Sequence, residues 1–235
     1  MLFTSWTGPY SDIYLNVNIK RLIIFAAQNS PFYVEGSKNS NMALAITAYG
    51  NKVLREVCDE ISSDHEGLQE LIDNMWETMY DTNGVGLAGP QVNKPIRLFV
   101  IDTEQVYENM DEGEDRDDLF EDNKGIKEVF INAEIVAESE EGWIENEGCL
   151  SLPEINGEVE RAWSIEIVYF DRNFEKQTNT FSGFTARVIQ HEYDHTEGIL
   201  YIDHVSGIGK RLMKGKLSKI AEGKVSPSYR MRFAK

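Results

Sequence analysis

The stretch 190–198, with the sequence QHEYDHTEG, contains three side chains that could act together on one metal ion. If this stretch is helical, His191 and His195 lie one turn apart on one face, and Glu192 lies beside them. Two imidazoles can bind a metal ion while a neighbouring carboxylate moves the protons of a hydrolysis. The alternative is a solvated helix face on which the three residues fall by chance.

The residues before the histidines favour a buried helix. Phe184, Val188 and Ile189 recur at helical spacing, which predicts that the other faces of the helix lie against a core. An imidazole without a partner is costly to bury, so this pattern favours the metal site over the solvated face.

A second notable stretch is 84–91, GVGLAGPQ, which precedes an apolar segment predicted to be a strand at 96–101. Its glycines would allow the backbone to approach a ligand closely. It lacks the Gly-Lys-Ser/Thr ending of a phosphate loop and the pattern of a dinucleotide-binding turn. Without other information, a tight turn is the simpler interpretation.

Cys149 lies in the turn-rich stretch 145–153, through which a helix cannot run. The pattern predicts that Cys149 lies on a loop or at a strand end, from which its thiol could reach a metal ion held elsewhere. The alternative role is that of a small buried apolar residue. Cys58 and Cys149 are too few for a disulfide framework, so both are predicted to be reduced thiols of a cytoplasmic protein.

Length and composition predict one folded domain, because 235 residues with 41% hydrophobic content can bury a core. The net charge of -17 argues against general binding of nucleic acids, which requires an excess of basic residues. No apolar run is long enough to span a membrane. The run that follows Lys20 and Arg21 is at the short limit for a secretory signal and begins late.

The chain is predicted to divide into an appendage, residues 1–41, and a domain, residues 42–235. The appendage shows no sustained periodicity and is expected to be disordered or to arise from an upstream mis-start, with Met42 as the translation start. In the domain, a helix is predicted from Ser63, capped by Asp64, to about Asp81.

Further elements follow from alternation and charge. Strands are predicted at 129–132 and 165–170. The acidic stretch 104–124 is predicted to be a solvated surface loop, and its carboxylates lack the spacing of a calcium loop.

The tail from Lys210 onward is basic, and Leu212, Leu217 and Ile220 have the spacing of an amphipathic helix. A solvated helix face is the default interpretation. In so acidic a chain, the reversal of charge also suggests a specific anionic partner.

Three stretches, GVGLAGPQ at 84–91, EGCLS at 147–151 and QHEYDHTEG at 190–198, resemble in this order the signature motifs of the peptide deformylases. The resemblance extends from about Met42 to the end of the chain. It implies an α+β fold in which antiparallel sheets surround a central helix carrying the two histidines. It also implies hydrolysis of the N-formyl group from N-formylmethionyl nascent polypeptides, with release of formate.

The resemblance implies that Cys149, His191 and His195 are the metal ligands and that Glu192 is the catalytic base. This ligand set leaves an open position on a tetrahedral ion, as a catalytic site requires. Intrinsic affinity would favour Zn²⁺ over Fe²⁺, whereas the resemblance implies Fe²⁺. Purified protein could then carry Zn²⁺, Ni²⁺ or Co²⁺ instead.

The same resemblance assigns the remaining residues of the reaction. The Gln91 side chain and the Leu150 amide would donate hydrogen bonds to the oxyanion, and the Gly86 backbone would pair with the substrate. Glu147 and Arg161 would form a supporting ion pair.

The predicted pocket for the methionine side chain consists of Val85, Phe184 and Val188. The chain departs from the family pattern nearby, because Glu145 lies where an apolar residue is expected. Gly89 replaces the alanine that is common in the first motif.

Two other functions fit part of the pattern. A zinc endopeptidase shares the two histidines, Glu192 and Gly198, but its longer motif requires a third histidine where Tyr201 lies. A noncatalytic, ribosome-associated metal-binding module would have no need of Glu192. The basic tail, 210–235, is predicted to dock on the ribosome near the tunnel exit.

Overall fold

The computed structural model describes residues 43–111, 113–121 and 123–234. The predicted appendage, residues 1–41, lies outside the described residues. The fold is a mixture of helices and mainly antiparallel sheets, which agrees with the predicted class.

Nine strands lie in the described part of the chain. They are β1 (Ile46–Thr47), β2 (Gly86–Ala88), β3 (Leu98–Asp102), β4 (Lys127–Glu138), β5 (Gly142–Gly148), β6 (Asn156–Ala162), β7 (Ser164–Phe170), β8 (Lys176–Ser182) and β9 (Met231–Arg232). The strands predicted at 96–101, 129–132 and 165–170 are confirmed, and β4 is much longer than predicted.

Five α-helices accompany these strands in the described ranges. They are α1 (Leu68–Asp81), α2 (Glu104–Asn109), α3 (Glu114–Phe120), α4 (Gly183–Thr196) and α5 (Gly207–Ala221). Three short 3₁₀ helices occupy Lys52–Arg55, Gly89–Val92 and Tyr201–Asp203.

The largest sheet has five strands in the order β2-β3-β4-β7-β8, and all its neighbouring strands are antiparallel. Strand β2 is therefore an edge of this sheet. A β5–β6 hairpin forms a separate antiparallel sheet, and β1 pairs in parallel with β9, so the two ends of the described domain meet.

Helix α1 covers one face of the large sheet. Its buried residues Leu68, Ile72, Met75 and Met79 recur at three- and four-residue spacing and pack in one core cluster. The predicted start at Ser63 with Asp64 as the cap is wrong. Gly67 precedes the helix in the left-handed conformation (φ 72°), which a continuing helix cannot contain.

Helix α4 is buried along nearly its whole length and contains His191, Glu192 and His195. Phe184, Val188 and Ile189 pack in the core cluster that includes β4 and β7 residues, as their spacing predicted. The core therefore holds the polar side chains of this helix in one orientation.

The acidic stretch 104–124 is not loop throughout, because it contains α2 and α3. Its apolar residues explain the difference. Leu119 and Phe120 are buried, and the ring of Phe120 packs edge-on against Phe184 with centroids 5.4 Å apart. The stretch 84–91, for which a tight turn was the simpler prediction, forms β2 and a 3₁₀ helix.

Helix α5 begins three residues before Lys210. The Ser206 hydroxyl caps it by accepting from the Gly209 N–H at 3.2 Å. The predicted apolar face is partly wrong, because Leu212 is 81% exposed and Met213 is buried beside Ile220. None of the described helices is both long enough and apolar enough to cross a lipid bilayer.

Candidate active site

Cys149, His191 and His195 converge in the interior. Cys149 directly follows β5, as its predicted strand-end position required, and both histidines project from α4. The three ligand atoms lie within 4.8 Å of one another, and the Cys149 Sγ is 3.2 Å from the His195 Nε2. Metal–ligand bonds of about 2.0 to 2.3 Å place tetrahedral ligands about 3.5 Å apart, so the cluster has the size of a metal site.

The chemistry of these donors also fits a divalent cation. Burial, with a smaller contribution from Glu192, raises the pKa of Cys149 to about 12. Burial lowers the pKa of His195 well below its usual range. His195 is thus neutral and can offer the lone pair of a ring nitrogen to a metal ion. A positive ion is needed to hold the buried Cys149 thiol as a thiolate.

Glu147 fixes the orientation of His191. The Glu147 Oε2 lies 2.8 Å from the His191 Nδ1, so the Nε2 atom is the one left for the metal site. Arg161 donates to both Glu147 oxygens at 2.6 and 2.9 Å, and the buried Arg187 donates to Oε1 at 2.6 Å. Burial raises the pKa of Glu147, but Arg161 and His191 outweigh burial and the net pKa is lowered.

Glu192 is buried next to the ligand cluster and close to the β2 edge. Burial raises its pKa well above the usual value for a glutamate. Its Oε2 has no hydrogen-bond partner among the described residues. A side chain at Gly86 would place a Cβ 2.4 Å from the Glu192 Oε1, so only glycine leaves room for the carboxylate.

Gln91 and Leu150 lie on two short segments beside the cluster. The Ala88 N–H donates to the Gln91 Oε1 at 2.7 Å, which turns the Gln91 Nε2 toward Cys149, 3.4 Å from its sulfur. Leu150 is the residue after Cys149, is buried, and accepts a hydrogen bond at its carbonyl from the Tyr229 hydroxyl at 2.8 Å.

Comparison with known proteins agrees with this geometry. The sequence model of the family described as "Polypeptide deformylase" matches residues 43–211, which is most of the chain. The chain belongs to the polypeptide deformylase family.

Several deformylases have similar sequences. That of Christiangramia forsetii is 49% identical over 194 residues, covering 82% of this chain and 96% of the relative. That of Flavobacterium johnsoniae is also 49% identical, over 193 residues, covering 82% of this chain and 97% of the relative. The predicted family is thereby confirmed.

Solved deformylase structures share the fold. The Plasmodium falciparum enzyme in complex with an inhibitor has a TM-score of 0.63 at 30% identity and covers 75% of this chain and 99% of its own. The Thermotoga maritima enzyme has a TM-score of 0.59 at 36% identity, and the match covers 70% of this chain and 98% of that enzyme.

The family is metal-dependent and removes N-formyl groups from newly made polypeptides. The predicted enzyme class is confirmed, and the endopeptidase and the noncatalytic module are not supported.

Two residues of this deformylase site were missed from the sequence. Arg187 is fully buried, donates to the Trp143 carbonyl at 2.6 Å and lies over the Trp143 ring. Its position one turn before His191 was the available signal. Asp194 accepts from Arg161 at 2.9 Å and lies 2.8 Å from the His204 Nε2, a pairing that no local spacing indicates.

The residues predicted for the methionine pocket lie together in one core cluster, where Val85 is half-buried. Phe184 and Val188 are fully buried, and Phe184 is covered by Phe120. Their role in holding the methionine side chain stays a prediction.

Proposed function

We propose that this deformylase hydrolyses the N-formyl group of N-formylmethionyl nascent polypeptides at the Cys149, His191 and His195 cluster. The observation that carries the proposal is the convergence of three buried ligands with a buried carboxylate, Glu192, which has an oxygen free of any partner in the described chain. We further propose that α4 is the central helix of the family's α+β fold.

The substrate is proposed to lie along the free edge of β2. The Val85 carbonyl accepts from the N–H of Asp102 in β3 at 2.8 Å, so the backbone polar groups of Val85 point toward β3. Because hydrogen-bonding directions alternate along a strand, the N–H and C=O of Gly86 point to the open edge. A peptide paired there gains main-chain affinity with little selectivity for side chains beyond the methionine.

Glu192 is proposed to be the general base and then the general acid. A divalent ion, when bound, supplies the positive charge that acidifies a water molecule and polarises the formyl carbonyl. The Glu192 carboxylate accepts one proton of that water as the water oxygen bonds to the formyl carbon. It returns this proton to the leaving amine as the formyl carbon–nitrogen bond breaks, and the formic acid released ionises to formate. Burial excludes competing solvent and strengthens each electrostatic contact.

Gln91 and Leu150 are proposed to stabilise the oxyanion of the tetrahedral intermediate. The Gln91 Nε2 and the Leu150 N–H would donate to it, and each such donor contributes about 3 kcal/mol to lowering the barrier. The orientation of Gln91 is set before substrate arrives, through its bond from Ala88.

Fe²⁺ is proposed as the native metal, following the family resemblance. One thiolate and two imidazoles also suit Zn²⁺, Ni²⁺ and Co²⁺, so the metal obtained depends on how the protein is purified. A cytoplasmic location is proposed because Cys58 and Cys149 are both free thiols, which suits a reducing compartment.

The deciding experiment measures formate release from formyl-Met-Ala-Ser by anaerobically purified protein, together with metal content. Wild-type protein should release formate, and Glu192→Gln should retain the metal and lose activity by about 10²- to 10⁴-fold. Cys149→Ala should lose metal as well as activity. Substantial activity in Glu192→Gln would remove the assignment of the base.

We also propose that α5 docks on the ribosome. The helix contains five exposed basic residues and no acidic residue, in a chain with a net charge of -17; they are Lys210, Arg211, Lys214, Lys216 and Lys219. Ile208 and Leu212, which are also exposed, lie one turn apart on the same helix. A basic and apolar surface of this kind suits an RNA–protein partner.

Charge reversal at Lys214, Lys216 and Lys219 should weaken cosedimentation with ribosomes and leave the turnover of a free formyl peptide unchanged. The matched control reverses three exposed lysines outside α5, at Lys94, Lys124 and Lys176. Equal cosedimentation of the two triple variants would reject the docking surface.

The catalytic domain is proposed to comprise residues 42–235, with residues 1–41 as an appendage. The start of the family match at residue 43 supports this boundary. Deletion of residues 1–41 should leave formate release and the thermal midpoint unchanged, whereas a large loss of either would place these residues in the functional unit.

A further inference from the structure

The turn that carries the proposed oxyanion donor is held at three successive carbonyl groups. The Cys149 carbonyl accepts from the Leu152 N–H at 2.9 Å, within the turn itself. The Leu150 carbonyl accepts from the Tyr229 hydroxyl at 2.8 Å, and the Ser151 carbonyl accepts from the Tyr49 N–H at 2.8 Å. Two of the three donors thus come from distant parts of the chain.

These bonds determine where the Leu150 N–H points. A peptide group is planar, so the bond to the Cys149 carbonyl also sets the plane of the Leu150 N–H. The bond from Tyr229 sets the next peptide plane. Because both planes meet at the Leu150 Cα, the two backbone dihedrals of Leu150 are fixed together.

The two distant donors are themselves joined by the parallel pair of β1 and β9. Tyr49 lies two residues after β1, and Tyr229 lies two residues before β9. The Ile46 N–H donates to the Arg230 carbonyl and the Ala48 N–H to the Arg232 carbonyl, both at 2.9 Å.

The family match ends at residue 211, so the segment 222–234 contains none of the matched motifs. We propose that this C-terminal segment is a positioning element of the reaction, in which Tyr229 orients the Leu150 N–H toward the oxyanion. Tyr229 is a positioning residue, because it acts through the Leu150 peptide and not on the substrate. The proposal rests on the deformylase activity and on the assignment of Leu150 as a donor.

Tyr229→Phe removes one hydroxyl and keeps the ring. A donor that works on the oxyanion acts in the transition state, so loss of its orientation should lower kcat and leave KM nearly unchanged. The expected fall in kcat is about 3- to 10-fold, less than that for removal of a donor. Metal content and the wild-type pH profile should be retained.

Tyr49→Phe is the matched control, because the Tyr49 hydroxyl has no hydrogen bond among the described residues and the variant keeps the backbone N–H. Its kcat should equal that of the wild type. A second variant, deletion of residues 231–235, keeps Tyr229 but removes β9, and should reproduce the fall in kcat.

The proposal is overturned if Tyr229→Phe has wild-type kcat, if it changes KM alone, or if its lower activity follows a loss of metal. It is also overturned if deletion of residues 231–235 leaves kcat unchanged. Absence of formate release from the wild-type protein would instead reject the proposed function. Activity that is lowered in Gln91→Ala and unaffected in Tyr229→Phe would reject this inference alone.

Discussion

The two sides of the metal site are built from different chemistry. On one side, Glu147 binds Arg161, Arg187 and His191 in a buried network of charges, hereafter the ionic side. On the other side, Gln91, the β2 backbone and the turn at Leu150 are held by bonds between neutral amides, carbonyls and a phenol, hereafter the amide side.

The contrast between buried charges and neutral hydrogen bonds predicts which property each side controls. A buried charge that loses its partner keeps its full desolvation cost, so a change on the ionic side should reduce stability and metal binding. A neutral amide costs less to leave unpaired. Changes on the amide side should therefore lower turnover while the metal is retained.

The largest effect is expected on the ionic side, from Glu147→Gln. Arg161 and Arg187 would lose their common counter-charge, which should lower the free energy of unfolding by about 3 to 5 kcal/mol. His191 would lose its orienting carboxylate, which should weaken metal affinity about 10- to 100-fold. Urea unfolding and metal analysis measure the two effects.

The matched control is Glu158→Gln, on the neighbouring strand β6 and exposed to solvent. It should change the free energy of unfolding by less than about 0.5 kcal/mol. A similar loss in both variants would show that the ionic side has no special role.

The next effect is expected from Gly86→Ala on the amide side. The added Cβ would lie 2.4 Å from the Glu192 Oε1 and must displace the carboxylate. Turnover should fall by about 10²- to 10³-fold with the metal retained, because the proposed base is misplaced. The helical Gly215→Ala, whose Cβ would meet no atom within 4 Å, is the control and should keep full turnover. Retained activity in Gly86→Ala would mean that Glu192 can function elsewhere.

Gln91→Ala should have a smaller effect, a fall in turnover of about 10²-fold with metal content unchanged. It removes one neutral donor and leaves the ligands and Glu192 in place. Formate release and metal analysis on the same preparation test this. Loss of metal in Gln91→Ala would contradict the division between the two sides.

The smallest effect is expected for an ion pair at the surface, Arg55 with Asp203, which serves as the reference for the ionic side. Burial raises the pKa of Asp203, but the bond and charge of Arg55, the Leu200 N–H and the charge of Lys210 together outweigh burial, and the net pKa is lowered. Both side chains are 40% exposed, so solvent screens the pair and Asp203→Asn should cost less than about 1 kcal/mol at pH 7.

The pH dependence of this cost has a definite sign. A lowered pKa in the folded state stabilises the protein above the ordinary aspartate pKa of about 3.9, and the contribution is lost as the pH falls. The difference in the free energy of unfolding between the wild type and Asp203→Asn should be constant from pH 7 to 5 and should shrink below about pH 4. A difference that grows toward acid pH in urea titrations would contradict the assignment.

The sequence by itself determined the chemistry of this protein. The spacing of His191, Glu192 and His195 requires only one helical turn, and Cys149 requires only a strand end, so local rules were enough to predict side chains that could form a metal site; their roles as ligands and base stay predictions. The family motifs added Gln91, and the core spacing in α1 and α4 predicted their buried faces.

Only the tertiary structure decided how those residues are held. Arg187 meets Glu147 and Asp194 meets Arg161 through the packing of α4 against the β5–β6 hairpin, and Tyr229 reaches Leu150 from 79 residues away in the chain. The two helices in the acidic stretch likewise depend on the burial of Phe120 against Phe184. Local spacing determines which side chains share a face, but contacts between distant segments depend on how whole elements pack, and no short pattern in the chain encodes them.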